Sequence, residues 1–532
     1  MTSISQSLRN SWWFETPSSN MEELALGILP LVLAAVAVSR YVWIFSKKTF
    51  GAPPSPPGPL GLPVVGNLPF LDAELHTYFA GLAQAYGPVI KLRLGNKIVV
   101  VISSPAAARE VLKEHDAIFA NRDVPAAAAA ASYGGRDIAW SQYGPEWRML
   151  RKICVREMLG SAALNGVYEL RRREIRKTVG YIYSRVGSPM MVGEQMFLTV
   201  LNVIMNMIWG DTVKGDGSKS LGAEFRQVVT EMTELMGKPN ISDFFPGLGR
   251  FDLQGIKKRM KGLALRFDVI FNSLIDQRLR IEGQGGREAG NKDEEIKDFL
   301  QVLLRVKEEG DTKVPFTMDH LKALLMDMVV GSTDTSSSTV EFAMAELINK
   351  PELMRNAQEE LDAVVGKDST VDECHIHKLP YLQAVMKEIL RLHPVLPLLV
   401  PHCPSQSCTV GGYHIPKGAR VFVNAWAIHR DSCIWENPSE FNPERFFGGK
   451  WDDDGGGFSY IPFGSGRRIC AGIAMAERMV MFSLASLLHS FDWKIPEGET
   501  LDLSEKFGIV LKKKTPLVVI PTPRLSDPAL YA

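Results

Sequence analysis

Late in the 532-residue chain, the stretch Phe463-Gly464-Ser465-Gly466-Arg467-Arg468-Ile469-Cys470-Ala471-Gly472 sets two glycines and two arginines ahead of one cysteine. The mostly apolar segment Ile473 to Leu488 comes next and reads as a buried helix, so Cys470 sits where a glycine-rich loop meets a helix N-terminus. Backbone N–H groups and the positive end of the helix dipole converge there, and both favour thiolate over thiol. A thiolate held in a tight loop beside an aromatic ring suits a soft metal, and a haem iron as its proximal ligand. A buried structural cysteine is the ordinary fate of a lone Cys. Its setting among two glycines, two arginines and Phe463 shifts that reading toward a ligand.

A second chemistry lies in Gly331-Ser332-Thr333-Asp334-Thr335-Ser336, midway along the helical stretch Thr317 to Asn349. Small hydroxylated residues inside a helix compete for backbone carbonyls, and they bend the helix or admit water. An acid beside a threonine can manage protons. Activation of dioxygen consumes two of them before the O–O bond splits, with Thr335 placed to hydrogen-bond the distal oxygen and Asp334 to relay protons through water.

Three further groupings are weak when read alone. Trp147 and Arg151 are four apart and share a helix face, as ordinary amphipathic helices also arrange. Glu388 and Arg391 are three apart, an ion pair worth little at a surface. Phe441-Asn442-Pro443-Glu444-Arg445-Phe446 places another arginine between two aromatics, and His402 ends the apolar, proline-bent run Val395 to Pro401.

These residues need elements to hold them. Val89–Leu94 and Lys97–Ile102 flank Gly95-Asn96 as a hairpin, and Ser104-Pro105 starts a helix with a cap and an N1 proline. Most of the chain beyond that point is helical, including the hexa-alanine run Ala126 to Ala131. Leu24 to Phe45 is almost wholly apolar and about long enough to cross a bilayer as a helix. Acidic Glu15, Glu22 and Glu23 precede it and Arg40, Lys47 and Lys48 end it, which orients the downstream chain to the cytosol. Pro53 to Pro59 then forms a stiff polyproline spacer. The expected organisation is a lumenal N-terminus at 1–23, an anchor at 24–45, a proline-rich hinge at 46–60 and a catalytic domain at 61–532. Lys plus Arg and Asp plus Glu are 60 each, a balance unlike that of a nucleic-acid binder. The six cysteines form no CxxC pair, which speaks against a disulfide framework and for a reducing compartment.

With the cysteine loop in place, the chain resembles the cytochrome P450 monooxygenases, and its motifs fall in that family's order from the anchor to Gly472. The resemblance implies a mainly α fold with a small β-rich subdomain and an N-terminal transmembrane helix. It implies haem b ligated by Cys470, propionate contacts from Trp147, Arg151, His402 and Arg468, a sulfur screened by Phe463, and Gly466 among the cofactor-binding residues. It gives Thr335 and Asp334 the oxygen-activating roles and makes Glu388, Arg391 and Arg445 a buried network beneath the haem. The family has glycine where this chain has Ser332, which bears on how tightly oxygen use is coupled to product. Electrons are expected from NADPH through a separate reductase, at the endoplasmic reticulum membrane. Stretches such as Tyr143 to Met149, Leu324 to Val330 and Pro521 to Arg524 resemble the plant group containing δ-cadinene hydroxylase. The expected substrate is therefore a sesquiterpenoid, with a flavonoid as the alternative. A non-hydroxylating isomerase or dehydratase, or a haem-binding membrane protein without catalysis, stands further off.

Overall fold

A computed structural model describes residues 53–210, 217–285, 298–310, 313–447, 451 and 457–532, together with Val32, Ala35 and Ser39. Those three positions are helical and exposed; the rest of the expected anchor, 24–45, lies outside the described residues.

Among the described residues, nine helices frame the site: α1 (Leu75–Tyr86), α2 (Ala126–Ala131), α3 (Pro145–Ile153), α4 (Val192–Trp209), α5 (Gly217–Gly237), α6 (Ile256–Gly285), α7 (Met318–Asn349), α8 (Pro380–Leu392) and α9 (Ile473–Ser490). A five-stranded sheet uses β1 (Val89–Leu94), β2 (Lys97–Ile102), β3 (Asn121–Arg122), β4 (His402–Cys403) and β5 (Arg420–Val423), in the order β1-β2-β5-β4-β3. The β1–β2 hairpin pairs Val89 with Ile102 across the Gly95-Asn96 turn, as the alternation of residues predicts. β5 runs parallel to β2, and β4 pairs antiparallel with both β5 and β3. This pairing brings His402 beside Arg122, far away in sequence.

The core has two large halves. One gathers Phe197 to Trp209, Phe225 to Leu235, Met260 to Ile275 and Leu321 to Val329. The other gathers Val340 to Leu347, Leu382 to Leu392 and Val480 to Leu488. α7 crosses from the first to the second, and its hydroxyl-rich centre, Gly331 to Ser338, is the seam. Leu321, Leu324 and Leu325 are fully buried on that helix, and truncating any one to Ala should cost about 2–5 kcal/mol. The helix begins at a Thr317 cap whose hydroxyl takes the His320 N–H, and it runs unbroken for 32 residues. Its hydroxyls back-bond rather than break it: Thr333 to Val329 O, Thr335 to Gly331 O, Ser337 to Thr333 O and Thr339 to Thr335 O.

Two segments differ in setting from their sequence appearance. The proline-rich stretch lies against the sheet, with Pro57 O accepting from Lys91 N and Pro54 O from His414 N, both at 2.8 Å. A polyproline backbone has free carbonyls to give, and a Cβ on Gly58 would stand 2.0 Å from Lys91 O. Among the described residues one helix, α4, is long and apolar enough to span a membrane. Most of it is buried in the first core half, which accounts for its composition.

Candidate functional site

The cysteine loop is closed by two backbone demands. Gly466 has φ +70°, and a Cβ there would meet Leu112 O at 2.0 Å, so only glycine fits. Cys470 N donates to Phe463 O at 3.0 Å, pinning the loop across the aromatic residue. Gly472 caps α9, and its N–H donates to Cys470 Sγ at 3.3 Å. Cys470 keeps accessible surface because it lines a cavity of about 360 Å³. The packing around it bears on its protonation. Burial pushes the Cys470 thiol up despite the Gly472 N–H and Arg151 pulling it down, so desolvation outweighs the helix terminus. A bound metal cation is what would hold the sulfur as thiolate.

Basic and aromatic groups form the rim. The Trp147 indole N–H and Arg468 Nη1 both donate to Ile138 O, at 3.1 and 3.0 Å. The Arg468 guanidinium lies 4.6 Å over the Trp147 ring and also donates to Ala120 O and Ser141 O. Arg151 Nη2 reaches Cys470 O at 3.4 Å. His402 Nδ1 donates to Phe119 O at 2.9 Å. Burial and the charge of Arg122 bring the His402 imidazole down to about 3, so it is neutral, and a carboxylate against it would favour its charged form. Trp147, Arg151, His402, Arg468, Phe463 and Cys470 all line the same cavity. A sulfur with a single N–H partner among the described residues, ringed by guanidinium and imidazole groups, fits a haem with its carboxylate arms.

α7 supplies another wall. Gly331, Ser332, Thr335, Ser336 and Thr339 line the cavity, with Ala128 and Ala131 of α2 and the apolar Val395, Leu396, Leu399, Ile509 and Val510. Thr335 Oγ1 donates to Gly331 O at 2.8 Å. Asp334 is placed differently from its neighbour: it is buried and outside the cavity lining, with Oδ2 accepting from Thr233 Oγ1 at 2.8 Å and pairing with Lys512 Nζ at 2.9 Å. Thr233, which does line the cavity, stands between Asp334 and that space.

Below the loop, Glu388 sits between two arginines. Arg391 Nε and Nη2 donate to its two oxygens at 2.7 and 2.8 Å, and Arg445 Nε donates at 3.2 Å. Asn442 N adds a fourth hydrogen bond at 2.9 Å. Glu388 and Arg391 are fully buried. Arg391 also donates to His429 O, Pro438 O and Glu440 O, so each guanidinium proton finds an acceptor.

Sequence reasoning assigned nothing to Thr233, Lys512, Arg122, Asp137 or Asp327. The first four are brought in by packing from distant stretches. Asp327 had a local signal: one acid inside the apolar run Leu324 to Val330, two helical turns before Thr335.

Comparison with known proteins narrows the reading. The family model described as Cytochrome P450 matches residues 56–520. A flavonoid 3'-monooxygenase of Arabidopsis thaliana is 41% identical over 487 residues, 90% of this chain and 93% of the relative. One from Crocosmia x crocosmiiflora is 40% identical over 500 residues, covering 91% and 96%. A flavonoid 3',5'-hydroxylase of Campanula medium is 39% identical over 516 residues, covering 93% and 97%. A zebrafish cytochrome P450 structure with progesterone superposes at a TM-score of 0.72 and 26% identity, over 84% of this chain and 99% of that one. Kinship with the δ-cadinene hydroxylase group is not supported; the relatives point to the flavonoid alternative. The apolar part of the cavity lining suits flat aromatic rings as well as a terpene hydrocarbon.

Proposed function

The chain belongs to the cytochrome P450 family and is a haem-containing monooxygenase, and from that premise we propose that it hydroxylates the pendant aromatic ring of a flavonoid. The observation that carries this reading is identity of about two-fifths, over nine-tenths of the chain, with flavonoid 3'- and 3',5'-hydroxylases. The cavity is compatible with it, being largely apolar with a few hydroxyl and carboxyl groups at fixed places.

When bound, the haem supplies insertion of one atom of dioxygen into a C–H bond, with the other leaving as water. The chain's own residues hold and feed that chemistry. Cys470 provides the sulfur ligand, and Trp147, Arg151, Arg468 and His402 receive the carboxylate arms. Thr335 presents a hydroxyl that can exchange its helix carbonyl for a hydrogen bond into the cavity. Asp334, paired with Lys512, passes protons inward through Thr233. Ser332 adds a hydroxyl to the same wall. Glu388, Arg391 and Arg445 keep the supporting segments in register. Electrons come from NADPH through a separate reductase. Leu24 to Phe45 anchors the enzyme in the endoplasmic reticulum membrane with the catalytic domain in the cytosol.

The test is reconstitution in membranes with a plant P450 reductase and NADPH. A flavanone, a flavonol and a cadinene are offered under 18O2, and products are read by mass spectrometry. A ring-hydroxylated flavonoid carrying one labelled oxygen is expected. Turnover of the terpene alone, an unlabelled rearranged product, or haem binding without turnover would each refute the proposal.

A further inference from the structure

One stretch of cavity wall is a short hairpin. Glu505–Lys506 pairs antiparallel with Lys512–Lys513, and the turn between them contributes Ile509 and Val510 to the lining. Lys512, the partner of Asp334, belongs to the same hairpin. The base of the hairpin is fastened to a buried histidine that the mechanism leaves unused. His393, the residue after α8, places Nδ1 2.6 Å from Glu505 Oε1 and Nε2 2.9 Å from Glu346 Oε1, near the end of α7. A carboxylate on each side calls for both ring nitrogens to donate. The Phe342 ring stacks on the imidazole at 4.3 Å and so fixes its plane. At the other Glu505 oxygen, Trp426 Nε1 donates at 3.0 Å and His76 Nε2 lies 3.3 Å away. Burial acts to raise the Glu505 carboxyl, but hydrogen bonds from His393 and His76 outweigh it and bring the group below the usual carboxylate range. Further along, Phe507 N donates to Glu74 Oε2 and Leu511 N to Val395 O, both at 2.8 Å. A Cβ on Gly237, which ends α5, would stand 3.1 Å from Ile509 N, so the tip has little room to shift.

A buried polar cluster can brace any two elements, yet these contacts converge on one hairpin, whose turn walls the cavity. We propose that His393 is a positioning residue: clamped between Glu346 and Glu505, it sets where Ile509 and Val510 stand and so how closely the wall fits a bulky ligand. Glu505 transmits the constraint, because it joins His393 to the first strand of the hairpin. The inference goes beyond the flavonoid reading and does not depend on it, since it concerns the placement of an apolar wall whatever the substrate.

The full-length, haem-loaded enzyme tests this by optical titration with two azoles that ligate haem iron. Imidazole is small enough to need no apolar wall, whereas 1-benzhydrylimidazole must also seat two phenyl rings. His393→Gln can donate on one side only. It should weaken the benzhydryl compound about tenfold, the scale of one buried hydrogen bond to a charged group, and change imidazole affinity by less than about twofold. In a background carrying both Ile509→Ala and Val510→Ala, the same substitution should cost less than about twofold, because the side chains it acts through are gone. Trp426→Phe keeps a ring in place and drops one donor to Glu505; it should cost about threefold, again lost in the double-alanine background. If His393→Gln yields no reduced CO band, Trp426→Phe carries the test. Equal weakening of both azoles, unchanged benzhydryl affinity with the CO band intact, or a penalty that survives in the double-alanine background overturns the proposal.

Discussion

Replacing Glu388 by Gln keeps the shape of the side chain and removes one charge from a site with no solvent. Arg391 is fully buried and Arg445 nearly so, so two guanidinium groups lose their shared counter-ion together. Glu388 accepts four hydrogen bonds, three of them from arginines. Gln offers one acceptor and turns an N–H₂ toward an arginine. Breaking a buried pair in this way costs about 3–5 kcal/mol. Arg391 retains three carbonyl acceptors, which places the expected loss near the low end, about 3 kcal/mol. That is roughly two orders of magnitude in the folding equilibrium, and up to about 1 M in the urea midpoint. The assay follows urea unfolding by tryptophan fluorescence and haem retention by the reduced CO spectrum. Arg445→Met and the double variant complete a mutant cycle. A coupling energy of at least about 1 kcal/mol is expected between Glu388 and Arg445. Loss of less than about 1 kcal/mol in Glu388→Gln, with normal haem content, would refute the reasoning, because such a result means the charge is not sealed from solvent.

Cys470→Ser should abolish the thiolate CO band while haem binding on the rim residues persists weakly; a retained band would remove Cys470 from the ligand position. Thr335→Ala should leave that band intact and raise hydrogen peroxide released per NADPH several-fold, since Thr335 lines the cavity within the seam; unchanged coupling contradicts its proton role. Acidification should destabilise the fold through His402 and His429, each brought down to about 3 by burial and nearby arginines. Their folded pKa values lie below the unfolded value of about 6.5, so the unfolded state binds more protons and stability rises with pH. The contribution is complete above about pH 6.5 and falls by up to about 1.4 kcal/mol per unit per histidine as pH drops toward 3. His429 Nε2 accepts from Ile461 N at 2.9 Å, and His429→Gln should flatten a pH series of thermal midpoints; an unaltered slope would exclude it as the acid-sensitive group.

Local chemistry made much of the fold readable. Gly95-Asn96 between two alternating runs specifies a hairpin, and Ser104 and Thr317 cap helices where capping residues belong. The limits of α9 and α7 track apolar periodicity to within a residue or two. Interior placement was harder to read. Asp334 and Thr335 are neighbours in sequence, yet only Thr335 faces the cavity, because successive helical residues point about 100° apart. Asp334 turns instead to Lys512, a partner 178 positions later in the numbering that no periodicity announces.

The sequence by itself determined the chemistry: a cysteine in a glycine-rich loop before a helix, a threonine in a hydroxyl-rich helix centre, and a glutamate and an arginine spaced to pair on one helix face. These signals are local, set by backbone sterics and helix geometry, and so survive without coordinates. Tertiary structure alone decided the environment of each group. Burial raises the Cys470 thiol against its helix terminus, β4 pairing sets His402 beside Arg122, and packing joins Asp334 to Thr233 and Lys512. Desolvation and through-space charge depend on what packs around a residue, and that is supplied by segments hundreds of positions away.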